Sequence, residues 1–263
     1  MKLFTIDTIP GFDEWREQAR FCLAQNIAPH DVCWNAGTNT QVNLFGEEET
    51  KTVTTHFVPT VPKDFIELAR TACCHNDADR FNLLYRLLWR ITYQNRNLLR
   101  IVTDADVLRL SAMVKSVRRD AYKITAFLRF REIMHEGREH FIAWYEPEHY
   151  TLERVLDFFQ TRFRNMHWSI LTPYRAAHWD GTSITLQDNP DPDLYPKDDK
   201  VEQYWLTYYA NIFNPARTKK SAMLSQMPKK YWNNMPETVL IPELLRTADK
   251  RAKEMIEKSK APR

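Results

Sequence analysis

The sequence predicts an α+β fold: a small, mainly antiparallel sheet with covering helices, a helical region before it and a helical carboxy-terminal segment after it. Three observations carry that expectation. Between residues 104 and 123, Val107, Leu110, Val114, Val117 and Ala121 recur at helical spacing, while Lys115, Arg118, Arg119 and Tyr122 fall on another face. From Ile124 the period drops to two, with Ile124, Ala126, Leu128 and Phe130 pointing one way and Thr125, Phe127, Arg129 and Arg131 the other, as in a strand. Past a turn at Glu136-Gly137 come a strand (His140–Tyr145), an amphipathic helix (Thr151–Phe163) and strands at Trp168–Leu171 and Ile184–Leu186, the last two joined across Asp180-Gly181. Strand, strand, helix, strand, strand makes a layer of sheet under a helix.

The other elements follow in chain order. Lys2–Ile6 reads as a short strand, Phe12 to about Asn26 as a helix with Trp15, Ala19, Cys22 and Leu23 inward, and Asp31–Trp34 as a second strand, a β-α-β start. Asn35–Thr60 is polar and turn-rich and reads as strands or loop. Pro62 opens a helix through Phe65, Ile66, Leu68 and Ala69; another runs from Arg80 to about Thr92, with Tyr85 and Trp89 assigned to packing. Asp188–Pro196, with three prolines and three aspartates, is the clearest linker. It divides an α+β body (1–190) from a basic helical carboxy-terminal segment (197–263) packed on that body. Within the segment, Asp198–Phe213, Ser221–Met227 and Ile241–Lys258 read as helices.

Composition removes several function classes. Only 5 Gly occur in 263 residues, and no GxGxxG, GxxxxGK[ST] or GxSxG motif is present, so neither a phosphate-cradling loop nor a nucleophile elbow can be built. Cys22, Cys33, Cys73 and Cys74 form no CxxC pair, and no metal centre or cofactor is expected from them. With no signal peptide and no apolar run of about twenty residues, the chain reads as a cytoplasmic protein with reduced thiols and no membrane association. His135-Glu136 imitates the start of a zinc-protease motif, but the second histidine would have to stand where Glu139 does.

Charge is unevenly spread. From Asn214 onward there are 12 Lys and Arg against 5 Asp and Glu, a net +7 in a chain of formal charge +3, which leaves −4 for the residues before. A basic segment on a near-neutral body points to a polyanionic partner. The candidate nucleic-acid contacts form two clusters: Lys115, Arg118, Arg119, Lys123, Arg129 and Arg131 in the first, and Arg217, Lys219, Lys220, Lys229, Lys230, Tyr231 and Trp232 in the second. Cations neutralise phosphates and exposed aromatics stack on unpaired bases. Side by side, the clusters would make one concave cationic platform. A weaker set, Glu146, His149, His178 and Asp180, pairs acids with histidines as general acid–base chemistry requires. The same residues also suit plain structural uses: acids at a helix start, and a turn closed by Asp180 and Gly181.

Several stretches together carry a resemblance: MVKSVRRD around Val114–Arg119, FLRFRE at Phe127–Glu132, AWYEPEH at Ala143–His149, FFQTRF at Phe158–Phe163, WSILTP at Trp168–Pro173, AHWDG at Ala177–Gly181, YYANIFNPAR at Tyr208–Arg217 and MPKKYW at Met227–Trp232. From about Phe12 to Leu245 the chain resembles an uncharacterised bacterial family associated with DNA metabolism and DNA repair. In that family the domain occurs alone, encoded beside a radical-SAM protein, or fused ahead of a uracil-DNA glycosylase-like domain. This chain reads as the stand-alone form, so the chemistry of the glycosylase-like half, with its cysteine-bound cluster, does not transfer. The resemblance implies a protein that binds DNA, single strands included, as an accessory to a radical-SAM enzyme. Two other classes stay open: a nuclease- or glycosylase-type enzyme using the acid–histidine set, and an adaptor whose basic surface docks an acidic partner.

Overall fold

The structure, a computed structural model, describes residues 2–36, 60–135, 137–192, 206–207, 209–211, 213–215 and 218–260. The fold is α+β. The chain forms two compact units, residues 1–122 with 147–153, and residues 123–146 with 154–263. The boundary therefore runs through a helix, and the main sheet shares a unit with the carboxy-terminal segment. No described helix is long and apolar enough to cross a membrane.

The first unit opens as the periodicity predicts. Strands β1 (Lys2–Ile6) and β2 (Val32–Ala36) pair in parallel, Phe4 opposite Trp34, with helix α1 (Phe12–Ala24) between them in sequence. Gly11 starts α1 at φ 80°, and a Cβ there would run into Ile6 Cγ2 and lie 2.8 Å from the Thr8 carbonyl oxygen, so glycine is needed on both counts. Helices α2 (Lys63–Ala72) and α3 (Arg80–Tyr93) follow, and then α4 (Ala105–Phe127). Their apolar faces close one core: Trp15 and Ala19 of α1, Phe65 of α2, Phe81, Leu84 and Tyr85 of α3, Leu110 and Val114 of α4. Asn82 of α3 covers the open edge of β2, donating to the Trp34 carbonyl at 3.4 Å and accepting its N–H at 3.0 Å. Unpaired strand edges otherwise invite pairing with another chain. Tyr85 is fully buried and donates to the Ile27 carbonyl at 2.6 Å, and Trp89 packs on Tyr93, so both aromatics are packing residues.

The second unit holds a five-stranded sheet in the order β3 (Arg131–His135), β4 (Arg138–Trp144), β5 (Trp168–Leu171), β6 (Arg175–Trp179), β7 (Ile184–Asp188). Only β4 and β5 run parallel, because α5 (Leu156–Arg162) and the 3-10 turn before it connect them. Phe159 of α5 packs with Phe130, Phe163 and Trp168 on one sheet face. Trp168 is completely buried, and enclosing a large apolar side chain contributes about 1.5–3 kcal/mol. The opposite face carries a smaller cluster of Ile142, Leu171 and Ala176 with Ile133 and Trp144. Beyond the sheet lie α6 (Lys220–Gln226), 3-10 turns at Lys229–Asn234 and Pro236–Leu240, and α7 (Ile241–Lys260).

Three expectations change. Residues 124–127 are the last turn of α4 and not a strand, and β3 begins only at Arg131. Val117, Ile124 and Leu128 are buried at helical spacing, and the Leu128 N–H still donates to the Ile124 carbonyl at 3.0 Å. Four residues fit both periods, and burial along the longer helix decides between them. Strand β6, unexpected from the sequence, lies between β5 and β7, so Ile184–Asp188 pairs with Arg175–Trp179 and not with Trp168–Leu171. Its centre is Ala176-Ala177, both fully buried, too small to carry a visible alternation. The expected helix over Thr151–Phe163 is a 3-10 turn at Leu152–Val155 followed by α5. Asn35 and Ala36 close β2. Residues 37–59 and most of the expected helix at Asp198–Phe213 lie outside the described residues, although 206–207 and 209–211 are helical.

Candidate functional site

Helix α4 starts where Asp104 accepts the N–H groups of Asp106 (3.0 Å) and Val107 (3.2 Å). Its amphipathic pattern then leaves Leu108, Ser111, Ala112, Lys115, Arg118, Arg119 and Tyr122 exposed at spacings of one and two turns, all within the first unit. The helix has two carboxylates of its own, and neither lies in that stripe. Asp106 is ion-paired with Arg86 and Arg90, both at 3.0 Å, and Asp120 is buried on the inner side. The outward stripe is thus three cations followed by a tyrosine that is 71 % exposed. A helix face of this composition offers charge to phosphates and a ring to a base.

Other cations of the same cluster are spent inside the second unit. Lys123 is only 7 % exposed; its ammonium donates to the Gln226 carbonyl at 2.8 Å and lies over the rings of Phe127 and Tyr231 at 5.5 and 5.3 Å. Arg129 makes two bonds to Glu237 Oε1, at 2.6 and 3.1 Å, and others to the carbonyls of Ala126 and Leu128. Tyr231 is buried, stacked on Tyr145 at 5.7 Å. The two basic clusters do meet here, with Lys123 and Tyr231 buried and Arg129 half-buried against Glu237, so these three side chains pack within the second unit. Lys219, Lys220, Lys229 and Lys230 are exposed, and Arg131 and Trp232 are half-buried. Arg217 lies outside the described residues.

The acid–histidine set is divided between the two units. His149 belongs to the first unit, while Glu146, His178 and Asp180 belong to the second. Glu146 is exposed and accepts the Trp144 indole N–H at 3.0 Å. Asp180 closes the β6–β7 turn, accepting the N–H groups of Thr182 and Ser183 at 2.7 Å, with Gly181 at φ 90°. Those N–H groups hold its carboxyl below the usual range. His178 Nδ1 lies 2.7 Å from the hydroxyl of Ser169, which is 2.8 Å from His140 Nε2 on its other side. One hydroxyl proton serves two ring nitrogens, so with both rings neutral one donates and the other accepts. Ser169 is buried, and the row satisfies it across β4, β5 and β6.

A second polar cluster was not anticipated. His149, 3 % exposed, lies against His75 with ring centroids 4.1 Å apart and the planes tilted by 31°. Its Nδ1 accepts the Asn76 N–H at 3.3 Å, so in the neutral ring the proton sits on Nε2 and is donated to Ser116 Oγ at 2.8 Å. Both nitrogens are committed, and His149 is not a base toward Ser116. Asp120 accepts the N–H groups of Glu148 (3.2 Å) and His149 (3.0 Å) and the Thr151 hydroxyl (3.1 Å). Together these bonds pin residues 147–151 to α4. The visible signal was Asp120 itself, an acid at an inward helical position between Val117 and Ile124. Nearby, Cys73 is wholly buried and its thiol is pushed well up by that burial. Among the described residues, no group of three or more His, Cys, Asp or Glu could hold a metal ion.

The histidine pair has a pH consequence. Burial first, then the neighbouring His149, holds His75 below the ordinary histidine value; Arg80 pushes the same way, while Asp77 and Glu148 oppose it. The unfolded chain therefore takes up that proton before the native state does. The stability tied to the neutral ring is intact above about pH 6.5 and falls as pH drops below it. Urea denaturation at pH 8 and pH 5.5 is expected to show lower stability at pH 5.5. The His75→Phe variant should lose part of that difference; an unchanged difference would contradict the assignment.

Residues 78–237, more than half of the chain, match the model of a domain of unknown function, DUF4130, and the chain belongs to that family. No curated protein and no solved structure matches it.

Proposed function

We propose that the protein is a nucleic-acid-binding protein of DNA metabolism, and that the outward face of α4 is its phosphate-contacting surface. The observation that carries this reading is the solvent-exposed row of Lys115, Arg118 and Arg119 on one helix face, ending in the exposed Tyr122. The resemblance described above supplies the context, an accessory that presents DNA to a radical-SAM enzyme. Cations on phosphates would give affinity without sequence preference, and the tyrosine would favour unpaired bases.

The test is fluorescence anisotropy with a labelled single-stranded 12-mer across a salt series. Changing Lys115, Arg118 and Arg119 together to glutamine should weaken binding at least about tenfold, and should reduce the salt slope by about 2, at roughly 0.7 per phosphate contact on a single strand. Equal affinity and slope in the variant would refute the surface.

A further inference from the structure

The second unit contains a cleft of about 450 Å³ lined by Arg131, Trp232, Met235, Pro236, Val239 and Pro242, among others. This falls in the size class of small-molecule sites, about 300–1,000 Å³. Its construction is specific. The Trp232 indole N–H donates to the Met227 carbonyl at 3.1 Å, which fixes the plane of the ring. Thr238 ties the corner together by donating to the carbonyls of Met235 at 2.7 Å and Trp232 at 3.1 Å. Glu237, between the lining residues Pro236 and Thr238, is turned inward to Arg129. Among the described residues, the lining contains the Arg131 guanidinium and no carboxylate. Lys229 stands with its ammonium 5.9 Å from the Trp232 ring centroid, and Lys230 and Lys219-Lys220 are exposed in the same unit.

An oriented indole with the Lys229 ammonium beside it, apolar walls and the Arg131 guanidinium suit a planar ring that carries an anion. We infer that this cleft receives one unstacked nucleotide of a single strand, its base against Trp232 and its phosphate at Arg131. The inference rests on the reading that the chain binds nucleic acid, and it adds a base-dependent pocket in the second unit to the charge-dependent surface of α4. Aromatic stacking on an unpaired base is indifferent to sequence, so the pocket would count bases without reading them.

The experiment compares the full chain with Trp232→Ala, Trp232→Phe and Arg131→Gln on two 12-mers of equal charge, oligothymidine and a fully abasic strand. On oligothymidine, Trp232→Ala should weaken binding about tenfold, within the range of one lost stacking contact, while Trp232→Phe keeps most of the affinity. Arg131→Gln should weaken both oligomers. On the abasic strand the wild type and Trp232→Ala should bind alike. Equal loss on both strands in Trp232→Ala would mean that the tryptophan acts through the fold, and would overturn the pocket. So would unchanged oligothymidine binding in Trp232→Ala, which leaves the α4 reading standing if the abasic strand still binds with a steep salt dependence. Binding of neither strand by the wild type would overturn both.

Discussion

Replacing Glu237 with alanine is expected to destabilise the second unit by about 3–5 kcal/mol, the cost of leaving a buried charge without its partner. Glu237 is 1 % exposed and Arg129 is half-buried, and the two are joined by bonds of 2.6 and 3.1 Å. Alanine would take this carboxylate away from a guanidinium that also donates to the carbonyls of Ala126 and Leu128. An apolar exchange of both partners, Arg129→Met with Glu237→Leu, should cost much less than either single change, because a buried ion pair seldom outweighs the desolvation of its own charges. Denaturant unfolding of the two singles and the double checks this. Equal losses in all three would show that packing, and not charge, is what the pair supplies.

The Asp120→Ala variant is the second large effect. One buried carboxylate accepts two backbone N–H groups and one hydroxyl. Bonds to a charged acceptor contribute about 1.5–3 kcal/mol each, and they are not additive, so a loss of about 3 kcal/mol is expected. Hydrogen exchange locates it: the amides of Glu148 and His149 should lose protection first, ahead of the α1–α3 core. Asparagine should restore little, since its amide has one acceptor oxygen where the carboxylate uses two. If those amides stay protected in Asp120→Ala, the clip is not what holds residues 147–151.

The two effects also mark where the sequence stops being readable. Helix faces were legible because local spacing determines them: Val107, Leu110, Val114 and Val117 of α4 and Leu152, Val155, Leu156 and Phe159 around α5 are all buried as their periods predict. The β-α-β start and the turn at Gly137 (φ 76°) were legible for the same reason. The end of α4 was not, because residues 124–127 satisfy two periods and only the burial of Ile124 and Leu128 decides. Nor was β6, whose buried alanines carry no alternation. For the candidate site, local sequence shows where cations are concentrated but not which of them reach solvent. Lys123 finds its acceptor 103 residues away, and Arg129 its carboxylate 108 residues away. His149 meets the Asn76 amide 73 residues away. Such pairings depend on tertiary placement, and no spacing rule reaches that far.

The central claim is that the outward face of α4 lies against nucleic acid. Photocrosslinking tests it most directly, with a single-stranded 12-mer carrying bromodeoxyuridine irradiated in the presence of the full chain and the adduct mapped by mass spectrometry. The account predicts a crosslink on the peptide containing Tyr122, lost at high salt and lost when Lys115, Arg118 and Arg119 are changed to glutamine. Adducts confined to other peptides, with that peptide unmodified at low salt, would contradict it.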